Sequence, residues 1–251
     1  MTKTVVRIIK IDERCKEQGE VLAQYGHGGK DIDIDGHPNI FETRDVYRDS
    51  SSCYIVMDHH KQLDGSTAED WTIERLGEVT ADMVLALEHI HGLEIAHRDI
   101  KLGNFLMADD GRVVLTDFGL ARKTQQPKYE GHGVAKCQPP EVWKGSYGRK
   151  ADMWSLGVVL FELVCRFPPF YGNSGIDDLS LYQIIDGNLW TDFGFEELPQ
   201  GFQDLMKGLL EPEPRRRLSA ERALQNPFIQ AALSQRAQGR SQPWTPSFRG
   251  V

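Results

Sequence analysis

The sequence predicts an α+β fold with two unequal parts, a small β-rich N-terminal part and a larger, mainly helical C-terminal part. Its 251 residues suffice for one large domain or for two lobes that share a hydrophobic core. The β-branched run Val5–Ile11 predicts a strand near the start of the chain. From Val79 onward apolar residues recur at helical spacing, which predicts helices over most of the remaining chain.

The N-terminal part alternates strand, helix and loop patterns. Asp12–Tyr25 predicts a helix, with Asp12 as its N-cap and Gly26 as its stop. The Gly- and Asp-rich stretch Gly26–Gly36 predicts a loop, and Cys53–Met57 predicts a second short strand. A polar segment, Lys61–Asp70, then separates this part from the helices.

The C-terminal part begins with a helix predicted over Val79–His91. Two short strands, Phe105–Met107 and Val113–Thr116, are predicted on either side of an Asp-Asp-Gly turn. Met153–Cys165 is apolar on nearly every side, which predicts a helix buried in the middle of a domain. The polar, proline-containing stretch from about Ser234 predicts a loosely attached tail.

Composition narrows the possible classes of protein. The formal net charge of -8 disfavours nucleic-acid binding as the main activity, because proteins that bind phosphate backbones carry a basic surface. The chain has neither an apolar run of the roughly 20 residues that span a bilayer nor a signal peptide. Its four scattered cysteines argue against a zinc site and a disulfide framework. We therefore expect a cytoplasmic protein without membrane or nucleic-acid partners, of unassigned oligomeric state.

The residues that carry chemistry lie in two stretches, His97–Asn104 and Asp117–Gly119. Asp99 can accept a hydrogen bond from an attacking hydroxyl group and take its proton, and Lys101 can hold the oxygens of a phosphoryl group in transfer. Asn104 and Asp117, 13 positions apart, offer the hard oxygen ligands that suit Mg²⁺ bridging phosphates. Gly119 is expected to let the backbone turn directly after Asp117. Phosphoryl transfer needs this set of groups.

These stretches match two motifs as written, H-R-D-x-K-x-x-N and D-F-G, and thereby resemble the protein-kinase family. The resemblance implies a bilobal kinase-like fold that takes ATP and Mg²⁺ and phosphorylates protein substrates. The chain would divide into a partial N-lobe (1–58), a C-lobe (59–233) and a flexible tail (234–251). Lys101, two positions after Asp99, resembles the serine/threonine class.

The resemblance continues downstream. It implies that Asp152, in the stretch D-M-W-S-L-G, anchors the backbone of the catalytic loop, and that His97 holds this loop by hydrogen bonds. Pro139–Glu141 resembles the end of the activation segment, although proline stands where the family has alanine. Arg217 would then pair with Glu141, and we expect both to be structural.

The resemblance upstream concerns the nucleotide. The stretch H-P-N-I that begins at His37 and the stretch Y-I-V-M-D that ends at Asp58 resemble the approach to the hinge between the lobes. This alignment implies that Met57 is the gatekeeper residue and that Asp58 and His59 present the backbone that faces adenine. Leu106 would form the floor under the adenine ring.

The chain departs from the family pattern in three ways, two of them in the N-lobe. The stretch before the first predicted strand offers no Gly-rich phosphate loop, and a truncated gene model is one explanation. Lys10 is the expected phosphate-binding lysine, but aligning the apolar residues differently puts Arg7 there, and arginine is a poor substitute for a compact ammonium group. Glu17 is its expected partner on the helix, with Glu20 as the alternative.

The third departure is in the substrate-facing loop, where Val134 stands at a position usually held by threonine. Because valine has no hydroxyl group, activity could be reduced even though Asp99 and Lys101 are present. A pseudokinase or a binding module that keeps the fold without turnover is therefore the alternative to an active protein kinase.

One further motif stands apart from this chemistry. Asp31–Glu42 satisfies the calcium-loop pattern of an EF-hand position by position. The stretch before it is rich in glycine where an entering helix is required, and Pro38 occupies the eighth position. We interpret the segment as a solvated acidic loop, with a weak Ca²⁺ site as the alternative.

Overall fold

The computed structural model describes residues 4–10, 36–49, 52–63, 71–124, 138–142, 148–169 and 195–239, and for residues 4–10 it describes the backbone. The predicted helix Asp12–Tyr25 and the acidic stretch before Gly36 lie outside these residues, as do Val134 and both candidate glutamates, Glu17 and Glu20.

The N-lobe contains an antiparallel sheet of three strands in the order β1-β3-β2. The strands are β1 (Thr4–Lys10), β2 (Thr43–Arg48) and β3 (Ser52–Asp58). On β3, the buried Ile55 and Met57 alternate with the partly exposed Tyr54 and Val56, as expected for a strand with one face on the core. The structure confirms the predicted strands β1 and β3 and adds β2, which the sequence analysis did not predict.

Segment Gly36–Phe41 connects this sheet to the C-lobe. Ile40 forms a parallel bridge with Leu115, and backbone bonds run from Leu115 N to Asn39 O (2.8 Å) and from Phe41 N to Leu115 O (3.0 Å). The side chain of Asn39, which is 1% exposed, donates from Nδ2 to Val113 O at 2.9 Å. A strand-like segment of the N-lobe is thus hydrogen-bonded along a strand of the C-lobe.

Helix α1 (Ile73–Gly92) begins at Thr72, whose side chain accepts a hydrogen bond from Arg75 N. This N-cap explains why the helix starts before the predicted Val79: it satisfies one of the free amides of the first turn. The buried positions include Val79, Met83 and Leu87, each 0% exposed, along one apolar stripe.

Helix α2 (Arg149–Cys165) runs through the middle of the C-lobe, as predicted for its apolar sequence. All residues from Ala151 to Phe161 are buried. The helix starts four residues before the predicted Met153, because Arg149 and Lys150 extend it by one turn into a polar region. It ends at Arg166, which has a left-handed backbone conformation (φ 69°) and whose amide donates to Glu162 O.

Three further helices pack around these two: α3 (Gln200–Leu209), α4 (Ala220–Leu224) and α5 (Pro227–Ala237). Asn226 caps α5 through a bond from Phe228 N, and Pro227 occupies its first turn, a position where proline costs no hydrogen bond. The helix continues past Ser234, where the sequence predicted the start of a loose tail. Arg236 explains this extension, because it pairs with the buried Asp82 at 2.6 Å.

Short strands flank the loops of the C-lobe. They are β4 (Lys61–Gln62), β5 (Ile95–Ala96), β6 (Phe105–Met107), β7 (Val113–Leu115) and β8 (Arg122–Lys123). They form one sheet in the order β4-β6-β7 and a separate β5-β8 pair. The predicted hairpin of β6 and β7 is confirmed, and Gly111 supplies a positive φ of 85° in its turn. Within the described ranges, no helix is long and apolar enough to cross a membrane.

Candidate active site

The loop that carries Asp99 is fixed at both ends by secondary structure. Strand β5, which ends at Ala96, pairs with β8, and a short 3₁₀ turn, Leu102–Asn104, leads into β6. Between these elements Arg98 adopts a left-handed conformation with φ 71°, which is uncommon for a residue with a side chain. Such a conformation persists only where surrounding contacts impose it. It sets the direction of the backbone at the next residue, Asp99.

Asp99 is the centre of a compact polar group. Its carboxylate, on a residue that is 8% exposed, accepts a hydrogen bond from Lys101 Nζ at 2.6 Å. Asn104 Nδ2 donates to Asp99 Oδ2 at 3.0 Å and to the backbone oxygen of Asp99 at 2.7 Å. Charge-assisted bonds of this kind fix the orientation of a carboxylate. The structure therefore brings Asp99, Lys101 and Asn104 together.

Asp117 joins this group through the backbone of its neighbour. Thr116 N donates to Asn104 O at 2.9 Å, which holds the end of β7 against the catalytic loop. Asp117 itself is left-handed, with φ 67° and ψ 64°. The turn that was expected at Gly119 is thus made by Asp117, and Gly119 is not among the residues with positive φ. That expectation was wrong in its position, although a turn exists.

His97 is fully buried and joins the catalytic loop to the segment before Asp117. Its Nδ1 accepts a hydrogen bond from Asp99 N (3.3 Å), and its Nε2 donates to Thr116 O (3.0 Å). Burial lowers the pKa of His97 below its ordinary value of 6.5, against the opposing influence of Asp152. A neutral ring with one donor and one acceptor satisfies both bonds, which confirms the predicted holding role.

Asp152 anchors the same loop from below, as the sequence analysis expected. Its Oδ1 accepts from Arg98 N (2.9 Å) and its Oδ2 from His97 N (2.8 Å) and His91 Nε2 (2.9 Å). Burial by itself would raise the pKa of Asp152, but the hydrogen bond from His91 and nearby charge outweigh it, so the pKa is lowered from 3.8. An ionised carboxylate thus imposes the left-handed turn at Arg98.

A second anchor holds the end of the activation segment. Arg217, whose side chain is 0% exposed, binds Glu141 through two bonds of 2.5 and 3.0 Å. This confirms the predicted pairing of the two residues. Because neither residue touches Asp99, we assign both to the support of the site.

The residues predicted to form the hinge lie at the end of β3 and directly after it. Met57 is 6% exposed, and the carboxylate of Asp58 is held by Arg44 in a two-pronged pair of 2.5 and 2.6 Å. His59 is exposed. Strand β4 follows two residues later and pairs with β6, which sets Gln62 opposite Leu106. The chain leaving the hinge is thereby attached to the strand that carries Leu106.

Leu106 lies on the face of the β6–β7 hairpin opposite to the core. Its cross-strand partner is Val114, whereas the neighbouring pair Phe105 and Leu115 belongs to the hydrophobic core. Alternation along a strand then puts Leu106 and Val114 together on the other face. This position is compatible with the predicted floor of a nucleotide site.

The pairing of β1 with β3 bears on the two candidate cations. Arg7 is opposite Ile55, two residues from Met57, the predicted gatekeeper, and Val5 is opposite Met57 itself. Lys10 is opposite Ser52, at the far end of β3. By strand alternation, Arg7 shares the face of Ile55 and Met57 and Lys10 does not.

Comparison with known proteins agrees with this geometry. The family model described as the protein kinase domain matches residues 7–229 of the chain. The chain belongs to the protein kinase family. The structure accordingly confirms the predicted kinase-like α+β fold with its strand-rich N-lobe and helical C-lobe.

Several relatives are serine/threonine kinases by name. The serine/threonine-protein kinase DCLK3 of Mus musculus is 31% identical over 208 residues, which cover 77% of this chain and 26% of that protein. The liver/testis isoform of the phosphorylase b kinase gamma catalytic chain of Mus musculus is 31% identical over 229 residues, covering 84% and 53%. Calcium-dependent protein kinase 12 of Oryza sativa subsp. japonica is 31% identical over 207 residues, covering 78% and 38%. The chain thus spans about half of these relatives' length or less.

The sequence analysis missed two residues that support the kinase site. His91 donates to Asp152, but its partner is 61 positions away along the chain, so nothing local indicates the contact. Arg44 forms an ion pair with Asp58, and it lies on β2, a strand that was not predicted. In both cases the interaction exists only because the fold brings distant segments together.

Proposed function

We propose that this kinase-family chain transfers the γ-phosphate of ATP to serine or threonine hydroxyl groups of proteins, with Mg²⁺ as cofactor. The observation that carries the proposal is the group formed by Asp99, Lys101 and Asn104, with Lys101 Nζ 2.6 Å from the Asp99 carboxylate. Asp117 follows directly on Thr116, whose backbone is bonded to Asn104.

Asp99 would orient the attacking hydroxyl group and accept its proton as the bond to phosphorus forms. The bonds from Lys101 and Asn104 hold this carboxylate in one orientation, so a hydroxyl group bound beside it meets a preorganised acceptor. Lys101 also offers a positive charge to the oxygens of the phosphoryl group. Neutral, buried His97 takes no part in proton transfer in this mechanism and keeps the loop in register.

Asn104 and Asp117 fit the requirements of a magnesium site. Asn104 donates its bonds to Asp99 from the amide nitrogen, whereas a metal would be bound by the amide oxygen, so the two roles do not compete. Among the described residues no group of three or more His, Cys, Asp or Glu side chains could hold a metal ion. Two protein ligands suffice for Mg²⁺, which keeps waters and binds substrate phosphates. The bound ion would neutralise charge on the phosphates.

For the residue that meets the nucleotide phosphates, we propose Arg7 in place of Lys10. The support is the pairing of β1 with β3, in which Arg7 shares the face of Met57 and Lys10 lies at the far end on the other face. Glu17, with Glu20 as alternative, stays the proposed helix partner. Met57, the backbone at Asp58 and His59, and Leu106 stay the proposed adenine site.

The protein partners of the chain are proposed from its chemistry. Its net charge of -8 favours basic protein substrates over nucleic acid, and a cytoplasmic location with reduced cysteines belongs to the same proposal. A second candidate function is a binding module that keeps nucleotide without transfer. The observation that favours it is the register of β1, in which Arg7 and not Lys10 shares the face of Met57. A guanidinium group is a poor substitute for a compact ammonium group at a phosphate.

The test is transfer of labelled phosphate from Mg-ATP to a mixture of basic proteins. We expect transfer by the wild type and a loss of about 10²-fold or more in Asp99→Asn and Asp117→Ala, since the first removes the proton acceptor and the second removes a proposed magnesium ligand. Arg216→Ala, which changes an exposed arginine, is the control that keeps wild-type transfer. Nucleotide binding without any transfer by folded wild type would establish the binding module instead.

A parallel comparison separates the two cations. Arg7→Ala is expected to weaken Mg-ATP binding measured by calorimetry, whereas Lys10→Ala is expected to leave it within a factor of about two. Equal losses in the two variants, or a loss confined to Lys10→Ala, would contradict the assignment of Arg7.

A further inference from the structure

Two histidine rings stack where the N-lobe segment Gly36–Phe41 meets helix α1. The ring centroids of His37 and His89 are 4.7 Å apart, and the ring planes are inclined by 19°. His37 belongs to the segment, and His89 lies in the last turn of the helix. Both residues are half-buried, so protons can reach rings that are held in close contact.

The hydrogen bonds of the pair suit neutral rings. His37 Nδ1 accepts a bond from Asn39 N at 3.2 Å, which leaves the proton of a neutral His37 on Nε2. His89 Nε2 is buried and finds no hydrogen-bond partner among the described residues. A charge on His89 therefore gains no bond at this nitrogen to offset its loss of hydration.

The charged groups around the pair come from three elements. On α1, Asp82 is the carboxylate that acts on His37, but Val113 N (2.9 Å) and Arg236 of α5 (2.6 Å) already occupy it. From the β6–β7 turn, Arg112 donates to Pro38 O at 3.0 Å and pairs with Asp110. The Asp82 carboxylate is thus engaged by other groups, and a cation, Arg112, is bound to the residue next to His37. Glu88, beside His89 on α1, is a further carboxylate of this helix.

A positive charge on His89 opposes a charge on His37. Burial and the neighbouring His89 lower the pKa of His37 below 6.5, against the opposing influence of Asp82. His89 lies at a helix C-terminus, where the helix dipole favours a cation. Protonation of both residues would put two positively charged rings in stacked contact, where they repel each other.

We propose that His37 and His89 form a proton-sensitive clamp, which holds segment Gly36–Phe41 on helix α1 while at most one ring is charged and loosens it when both are charged. A histidine that is harder to protonate in the folded state stabilises that state fully above its ordinary titration range. The stabilisation is lost as the pH falls through that range toward the lower folded value. The clamp therefore opens on acidification.

Opening would be visible in the backbone bonds that the segment makes. Phe41 N bonds to Leu115 O, and Leu115 N bonds to Asn39 O. Both amides are protected from hydrogen exchange only while the segment lies along β7. Exchange of these two amides, corrected for the intrinsic effect of pH on exchange, reports the opening equilibrium directly.

The experiment measures this exchange in the full chain at about pH 7.5 and about pH 5.5, on either side of the ordinary histidine range. For the wild type we expect the opening equilibrium to rise severalfold at the lower pH, because the closed segment then holds two positively charged rings in contact. His89→Phe keeps an aromatic stack without a charge, and His37→Asn keeps an acceptor for Asn39 N. Each removes the charge pair independently, so each is expected to show a flat response.

Glu88→Gln is the matched control, because it changes a charge on the residue beside His89 without touching the stack. It is expected to keep the wild-type response to pH. The clamp is overturned if His89→Phe and His37→Asn respond to pH as strongly as the wild type, or if wild-type exchange at Phe41 and Leu115 does not change. Melting temperature across the same pH range supplies a second readout for any variant of reduced stability.

Discussion

Arg217 is buried at the base of the C-lobe, where its guanidinium group connects several segments. Besides Glu141 it donates to the backbone oxygens of Lys150 (2.8 Å), Glu211 (2.8 Å) and Pro212 (3.2 Å). The group also lies 4.9 Å from the ring centroid of Trp154. All these contacts need the positive charge, and Glu141 is the carboxylate that balances it.

Removal of that carboxylate gives a prediction at the residue scale. Glu141→Ala is expected to lower the free energy of unfolding by about 3–5 kcal/mol, because it leaves a buried cation without its partner. Chemical denaturation measures the change. Arg216→Ala is the control: this arginine is 76% exposed and lies 3.7 Å from Glu211, so its loss should cost less than about 1 kcal/mol. Similar losses in the two variants would contradict the structural role of Glu141.

Whether a residue of the site could be predicted depended on how close in the sequence its partners lie. Asp99, Lys101 and Asn104 were predicted because they lie within six residues of one loop and share one chemistry. The pairing of Arg217 with Glu141 was predicted only through the family resemblance, since the two are 76 positions apart. The stack of His37 and His89 was not predicted, because neither residue belongs to a motif that names the other.

At the scale of elements, the close packing of helix α2 depends on a glycine. A Cβ atom at Gly157 would lie 2.9 Å from Leu210 Cδ2 and 3.1 Å from Leu209 Cβ, closer than carbon atoms approach in a packed core. The helix therefore meets the end of α3 directly. By contrast, no described atom beyond its chain neighbours and its own helix backbone lies within 4 Å of a Cβ atom at Gly92, the last residue of α1.

This contrast predicts opposite effects of the same substitution. Gly157→Ala is expected to destabilise the protein by about 1–3 kcal/mol through overpacking, even though alanine favours helix. Gly92→Ala is expected to be neutral or to stabilise by up to about 1 kcal/mol, because it gains helix propensity without a contact. Thermal unfolding of both variants measures the difference. A stabilised Gly157→Ala would contradict the packing of α2 against α3.

Elements with a clear period were predicted and those without one were not. Helix α2 and strand β3 follow from apolar patterning that burial explains. Strand β2 reads T-R-D-V-Y-R, mostly polar, and it exists because β3 offers its edge; a register shift between Thr43 and Asp45 interrupts the pairing. The sequence analysis ended α5 too early because no local pattern indicates that Arg236 pairs with Asp82, 154 positions away along the chain.

At the scale of the molecule, the two lobes share backbone bonds through segment Gly36–Phe41. The motif H-P-N-I marked this segment as an approach to the hinge, but no pattern in the sequence indicates its register against Leu115. That register depends on the buried amide of Asn39, which bonds to Val113 O across the lobes. Parallel pairing between segments 75 positions apart is a property of the whole fold.

Asn39→Ala tests this attachment. It leaves Val113 O without a buried donor and is expected to cost about 1–3 kcal/mol in unfolding free energy. The opening equilibrium of the Phe41 amide is expected to rise at least as much as global unfolding does. Asp110→Asn, at an exposed turn residue, is the control with a change below about 0.5 kcal/mol. Unchanged exchange at Phe41 in Asn39→Ala would show that the segment is held by other contacts.

In the part of the chain that the structure describes, two attachments join the N-lobe sheet to the C-lobe: the chain that leaves β3, and the bridge of Ile40 with Leu115. Two fixed points define a line, and a rigid body held at both can only turn about it. We therefore expect the sheet to rotate about the axis through these two attachments and not to translate over the C-lobe. Loss of the Asn39 side chain would weaken the attachment at the bridge, and we would then expect the sheet also to twist about the hinge.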